Sequence, residues 1–287
     1  MQMDQLRTLV SVVDEGTFEA AAFELGVSQS AVSQRIKALE TELGRVLVQR
    51  TTPCRVSRDG EPVLRMARQV GLLEQELRTE LGLHETHARL AVAVNADSFA
   101  TWLQPLLALA ATWPDTRLAV TLEDQDHSSE LLRRGAVVGA VTSDPRPVPG
   151  CRVERLGTMT YVPVAEPTLA DRHRHAGRLD WASLPMLRFN AKDELQDRFL
   201  DERVGHARPP VSLVPSSQGF VAAILAGLGW GMAPLAQIEE DLRAGRVVRL
   251  AGRAQVPVEL FWQAWRLTTR PVARLGEAVH ACAREMR

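Results

Sequence analysis

The stretch SQSAVSQRIKALETELG, residues 28–44, decides how the first third of this chain is read. One face carries Val32, Ile36, Leu39 and Leu43 at helical spacing, an apolar stripe that has to be buried. The other carries Gln29, Ser30, Ser33, Gln34 and Lys37, which can hydrogen bond and are mostly uncharged. A merely solvated helix, in a chain that is 24% charged, would be expected to carry more Glu and Arg. The polar face therefore calls for a partner.

The flanks say which. Residues 4–15 repeat Leu6, Leu9, Val10 and Val13 on one side and predict a helix that Gly16 ends. Thr17 can cap a short alanine-rich helix, FEAAAFEL, and Ser28 can cap the quoted one across the turn GVS. Two short helices joined by such a glycine turn form a helix-turn-helix pattern. Gly44 closes the second helix, and RVLVQRTTPCRVSRDG then alternates, turns at Thr52-Pro53 and alternates again. That is a small hairpin, the wing of a winged helix-turn-helix.

A helix entering the major groove needs a buried stripe to set its angle and short hydrogen-bonding side chains near its start to meet base edges. Ser28, Gln29, Ser30, Ser33 and Gln34 fit that demand; Arg35 and Lys37 suit phosphates, with guanine also open to Arg35. Arg50, Thr51 and Arg55 of the wing suit backbone phosphates. Charge is polarised accordingly. Residues 33–58 hold six cations (Arg35, Lys37, Arg45, Arg50, Arg55, Arg58) against Glu40 and Glu42, whereas residues 14–24 hold four acids and no cation. The formal net charge of −1 does not oppose this, because nucleic-acid binding needs a local patch rather than a basic total. Only Lys37 and Lys192 are lysines among the 34 basic residues, so a lone arginine carries little weight here.

From Arg58 to about Leu83 a long helical pattern follows. Leu64, Ala67, Gly71, Glu74, Leu77 and Leu81 fall near heptad spacing, which predicts pairing with a second copy through Leu64, Leu77 and Leu81, with packing onto its own chain as the alternative. Beyond residue 88 strands and helices alternate in two rounds, the second following Tyr161. The fold class read from this is α/β: an α-rich winged helix-turn-helix over 1–58, a linker and dimerisation helix over 59–88, and a two-lobed effector-binding domain over 89–287. Lobe I covers about 89–160 plus 266–287 and lobe II about 161–265, with a mainly parallel sheet and a cleft suited to a small ligand.

The run LRTLVSVVDEGTFEAAAFELGVSQSAVSQRIKALETELGRVLVQR with VSRDGEPVL resembles the N-terminal domain of the LysR-type transcriptional regulators. The order of linker helix and periplasmic-binding-protein-like domain is similar too. Ser30 departs from the proline common there, which frees the helix start and adds a donor. The stretches AVNADSFATWLQPLL, FNAKDELQ, GLGWGMAP and LFWQAWRL resemble the branch of that family regulating export of arginine and lysine. The resemblance implies promoter DNA, RNA polymerase and a homodimer or tetramer as partners. It implies L-lysine or L-arginine as effector and no cofactor.

A basic amino acid brings a carboxylate, an ammonium and a distal cation, and burying each unpaired is costly. Strand–helix junctions can supply both signs. Asn95, Asp97 and Ser98 lie in NADS; Glu123 and Asp124 lie in EDQD; Asp193 lies in NAKD; Ser216 and Ser217 lie in PSS. The acids would meet cations, and the serines at helix starts would meet a carboxylate. Asp97 and Asp193 can instead be simple helix caps, and Glu123 and Asp124 ordinary strand-end charges. Lys192 can pair with a neighbouring acid. Trp230 and Trp262 read as core.

An enzyme is the competing class, but no phosphate loop, nucleophile elbow or metal-ligand spacing occurs, and His84/His87 and His173/His175 read as solvated. A free-standing solute receptor would have no use for residues 1–83. A constitutive architectural DNA binder would not need the two-lobed appendage. Cys54, Cys151 and Cys282 are isolated and odd in number, no apolar run approaches a membrane span, and no secretory signal opens the chain; cytoplasm is expected.

Overall fold

The computed structural model describes residues 1–83, 88–123, 128–205 and 207–286, Glu285 by its backbone only. The helices α1 (Met3–Glu15), α2 (Phe18–Glu24) and α3 (Gln29–Leu43) precede the wing strands β1 (Val48–Gln49) and β2 (Arg55–Val56). The long helix α4 (Gly60–Glu80) follows. Then come β3 (Ala88–Val94), α5 (Ala96–Ala100), α6 (Pro105–Ala111), β4 (Thr116–Leu122), α7 (Ser128–Arg133) and β5 (Gly139–Thr142). Next are β6 (Cys151–Ala165), α8 (Pro167–Arg172), β7 (Arg174–His175), β8 (Arg178–Leu179), β9 (Met186–Arg188), α9 (Leu195–Arg203) and β10 (Val211–Leu213). The chain closes with α10 (Ser217–Leu225), β11 (Gly231–Pro234), α11 (Leu235–Arg243), β12 (Val248–Arg249), β13 (Val256–Trp265) and α12 (Arg270–Ala283).

Contacts divide this into two compact units. The first holds residues 1–94, 107–154 and 262–279; the second holds 95–106, 155–261 and 280–287.

In the first unit the helix-turn-helix forms as its caps dictate. Thr17 Oγ1 accepts from Ala20 N at 3.0 Å and Ser28 Oγ from Ala31 N at 3.2 Å, satisfying amides that a helix start leaves open. Gly26 (φ 62°) makes the turn and Gly44 (φ 63°) the C-cap of α3, conformations that a side chain would strain. Val32, Ile36 and Leu39 are fully buried against Leu9, Val12, Phe18, Ala21 and Ala22. Full burial of one such aliphatic side chain contributes about 1.5–3 kcal/mol. Leu43, expected to extend that stripe, is instead 39% exposed, since α3 outruns the small core at its last turn. Glu40 accepts from Leu47 N at 2.8 Å and Val48 N at 3.3 Å, tying the root of the wing to α3. The wing pairs antiparallel, Val48 with Val56 and Gln49 with Arg55.

Helix α4 seats its first turns on the same core. Leu64 is 1% exposed within it, so this residue is withdrawn from the dimer seam that heptad spacing suggested. A Cβ on Gly60 would fall inside contact distance of the Leu47 carbonyl and 2.8 Å from Val56 Cγ2, which is why glycine opens the helix. Further on, Arg68 bridges Asp14 of α1 and the carbonyl of Gly135, and Arg134 pairs with Glu61 at 3.4 Å. The sheet of this unit runs β4–β3–β5–β13, with β3 parallel to both neighbours. That is the expected parallel order.

The second unit differs from the expectation. Its organiser is β6, a 15-residue strand, with β11 and β12 antiparallel to it, while β9 and β10 pair in parallel. Pro163 inside β6 reads as a strand breaker, yet it sits in register with Met232. Trp230 is fully buried and stacks edge-on with Trp181 at 5.0 Å, as a core residue should. In the first unit, Trp262 is 1% exposed and equally core.

Candidate functional site

Two arrangements, one in each unit, bring chemistry-bearing side chains together. On α3 the apolar stripe faces inward, and Gln29, Ser30, Gln34 and Lys37 are exposed while Ser33 is half-buried. Ser28 spends an acceptor on its cap, and its hydroxyl lies 2.9 Å from that of Ser30. Arg35 reaches back to Asp4 at 3.3 Å, an exposed pair that a phosphate can replace at little cost. In the wing, Arg55 is exposed and Arg50 stacks over the Phe18 ring at 4.8 Å, which aims its guanidinium without neutralising it. Thr51 departs from its expected role. Its single hydroxyl proton goes to Pro53 O at 2.7 Å, leaving it nothing to donate to a phosphate.

On α4, Leu73, Leu77, Leu81 and the following Leu83 remain 48–65% exposed, a stripe that continues after Leu64 and Ala67 have turned into the chain's own core.

In the second unit the centre is Asp97, in the first turn of α5. Tyr161 Oη donates to its Oδ2 at 2.9 Å and Ser217 Oγ to its Oδ1 at 2.6 Å. Gln237 Nε2 in turn donates to Ser217 Oγ at 3.0 Å, so the carboxylate is held by a relay from β6, α10 and α11. Asp97 is thus fixed rather than capping α5; the cap position belongs to Asn95, which makes no side-chain cap bond. In the same strand–helix junction, Asn95 Oδ1 and Ser98 Oγ are buried and without a hydrogen-bond partner. Orphaned polar atoms are costly in a folded interior and mark a place where a partner is missing.

Other candidates are used locally. Asp193 accepts from Phe189 N at 2.9 Å and Leu195 N at 3.1 Å, closing its own turn, while the N-cap position of α9 belongs to Glu194. Ser216 is the N-cap of α10, accepting from Gly219 N at 3.1 Å, so its oxygen is committed to the helix. Ser217 turns its hydroxyl to a carboxylate, which overturns the expectation that it receives an anion. Lys192 is exposed. Glu123 is half-buried at the end of β4, in the first unit. Asp124, His84 and His87 lie outside the described residues, whereas His173 approaches Ser183 Oγ at 3.0 Å. Sequence reasoning missed Tyr161 and Gln237. The one available signal was that Tyr161 is the only tyrosine in the chain.

Comparison with known proteins then settles the family. Residues 3–61 match the family described as "Bacterial regulatory helix-turn-helix protein, lysR family", and residues 84–287 match "LysR substrate binding domain". The chain belongs to the LysR family of regulators. This LysR-family chain is 47% identical over 279 residues to the lysine export transcriptional regulatory protein LysG of Corynebacterium glutamicum, covering 96% of this chain and 95% of that one. It superposes on the structure of full-length LysG from that organism with bound effector Arg, with a TM-score of 0.83, 45% identity and 99% of both chains covered. ArgP from Mycobacterium tuberculosis is similar as well, with a TM-score of 0.86, 44% identity and 97% and 96% covered. These relatives are transcriptional regulators, not enzymes. Among the described residues no helix is long and apolar enough to cross a membrane.

Proposed function

We propose that this LysR-family regulator binds promoter DNA sequence-specifically and answers to L-arginine or L-lysine, controlling a gene for export of basic amino acids. The observation that carries the effector assignment is the fixed carboxylate of Asp97, with the unpartnered Asn95 Oδ1 and Ser98 Oγ in the same strand–helix junction. A guanidinium or ammonium needs acceptors already held in place, because a charge brought out of water must be met by a counter-charge and hydrogen bonds. The similarity to LysG, whose structure holds arginine, supports the same ligand class here.

Gln29, Ser33 and Gln34 read base edges, and Arg35, Lys37, Arg50 and Arg55 meet phosphates. Thr51 has no part. The functional division is 1–58 for DNA, 59–88 for the linker and 89–287 for the effector. The exposed Leu77 and Leu81 of α4 join two copies, as a dimer or within a tetramer, and RNA polymerase is the partner at the promoter. The test is a footprint of the full-length chain on the DNA beside an amino-acid exporter gene, with and without 10-fold excess arginine over its binding constant. A protected region whose extent changes with arginine supports the reading; protection indifferent to arginine and lysine counts against it.

A further inference from the structure

Behind the helix-turn-helix, within the first unit, lies a cavity of about 440 Å³. Its walls come from α1, the end of α2, α4, β3, the segment before β5, and Trp265 of β13. The pocket opens to solvent, and pockets of some 300–1,000 Å³ are what small ligands occupy. The floor is apolar, including Val10, Leu72, Ala91, Val137 and Trp265. Charges sit among the lining residues with an imbalance. Arg68 and Arg89 both pair with Asp14, and Arg7 pairs with Glu74. Glu15 and Glu24, both exposed, make no ion pair among the described residues. Each lining cation is thus engaged in an ion pair, and the unpaired charges of the lining are the two acids.

One exposed lining residue is a glycine. Gly71 lies in the interior of α4 and lines this cavity, and a Cβ added to it would meet nothing within 4 Å. Glycine weakens a helix interior relative to alanine, and neither space nor backbone conformation requires it here. Its presence keeps one wall of the cavity open.

We propose that this cavity is a second ligand site, for a small organic cation with an apolar body. Its body lies on the floor and its charge faces Glu15 and Glu24. Because the walls belong to the DNA-binding helices, to α4 and to the sheet of the same unit, an occupant stiffens their junction. The site is separate from Asp97 and does not rest on the effector assignment.

The experiment titrates the full-length chain calorimetrically with phenethylamine, protonated at neutral pH, and with 3-phenylpropionate, which has a similar body and the opposite charge. Both titrations are run with and without L-arginine. Phenethylamine is expected to bind in the millimolar range or tighter, at least 10-fold better than 3-phenylpropionate and equally with arginine present. Gly71→Leu, which fills the cavity and favours the helix, is expected to weaken it at least 10-fold. Glu15→Gln with Glu24→Gln should weaken it about threefold or more, the scale of exposed charges. No binding, equal binding of the two probes, or an affinity untouched by Gly71→Leu overturns the proposal. So does a Gly71→Leu chain that loses its dimer and keeps the probe, because the glycine then serves a second copy. Silence of L-arginine itself would count against the effector reading and leave this one standing.

Discussion

Replacing Asp97 by Asn removes one negative charge while keeping the shape of the side chain, and the structure bounds the effect. Among the described contacts, the carboxylate accepts from Tyr161 Oη on Oδ2 and from Ser217 Oγ on Oδ1. An amide offers one acceptor and one donor, so Tyr161 keeps its partner on Oδ1. Ser217 can rotate to accept from Nδ2 and donate to Gln237 Oε1, which lies 3.2 Å away. The relay therefore survives, and the stability loss should stay near the 0.5–1.5 kcal/mol of a single hydrogen bond. Ligand binding has no such repair. Truncating one partner of a buried, hydrogen-bonded charge pair costs about 2–5 kcal/mol, and 1.4 kcal/mol is a factor of ten. Arginine affinity, measured calorimetrically, should fall at least about 30-fold, while basal binding to promoter DNA and the melting curve change little. An Asp97→Asn chain that binds arginine as tightly as the parent would refute the assignment of this carboxylate.

The first unit supplies four further expected outcomes. Gln29→Ala with Ser33→Ala should reduce preference for the promoter over scrambled DNA by about 1–3 kcal/mol per lost bidentate contact, with less effect on affinity for scrambled DNA; a gel-shift competition at fixed salt reads both. Leu77→Glu with Leu81→Glu should give monomers in sedimentation without unfolding. Leu64→Ala should instead destabilise the N-terminal core by about 2–5 kcal/mol, seen as a lower melting temperature, and leave the dimer contacts of Leu77 and Leu81 intact. Gly60→Ala should destabilise the same core by about 1–3 kcal/mol of overpacking against Leu47 and Val56, read by thermal denaturation.

The DNA-binding segment was legible because its instructions are local. Thr17, Ser28, Gly26 and Gly44 act within a few residues of where they stand, and a 3.6-residue period identifies the buried face of α3. Leu64 was misread because a heptad looks the same whether a helix meets its own chain or another copy; only burial separates the two. Thr51 failed for a similar reason, since a hydroxyl beside arginines reads as a phosphate donor until its proton is traced to Pro53. The strand β6 was missed because its half-buried residues and Pro163 blur the alternation that marks a strand. In the ligand-binding unit the junction NADS could be found, but not what holds it. Asp97 meets Tyr161 and Ser217 across 64 and 120 residues, separations over which no sequence period carries information.

That this regulator senses a basic amino acid is tested most directly by titrating the full-length chain with L-arginine, L-lysine and a neutral amino acid of similar length, such as L-norleucine. Saturable heat is expected with arginine or lysine. Norleucine should bind at least about 30-fold more weakly, because its side chain ends in a methyl group that offers Asp97 no counter-charge. Norleucine binding as well as the basic amino acids, or silence from both arginine and lysine, would contradict a basic-amino-acid sensor.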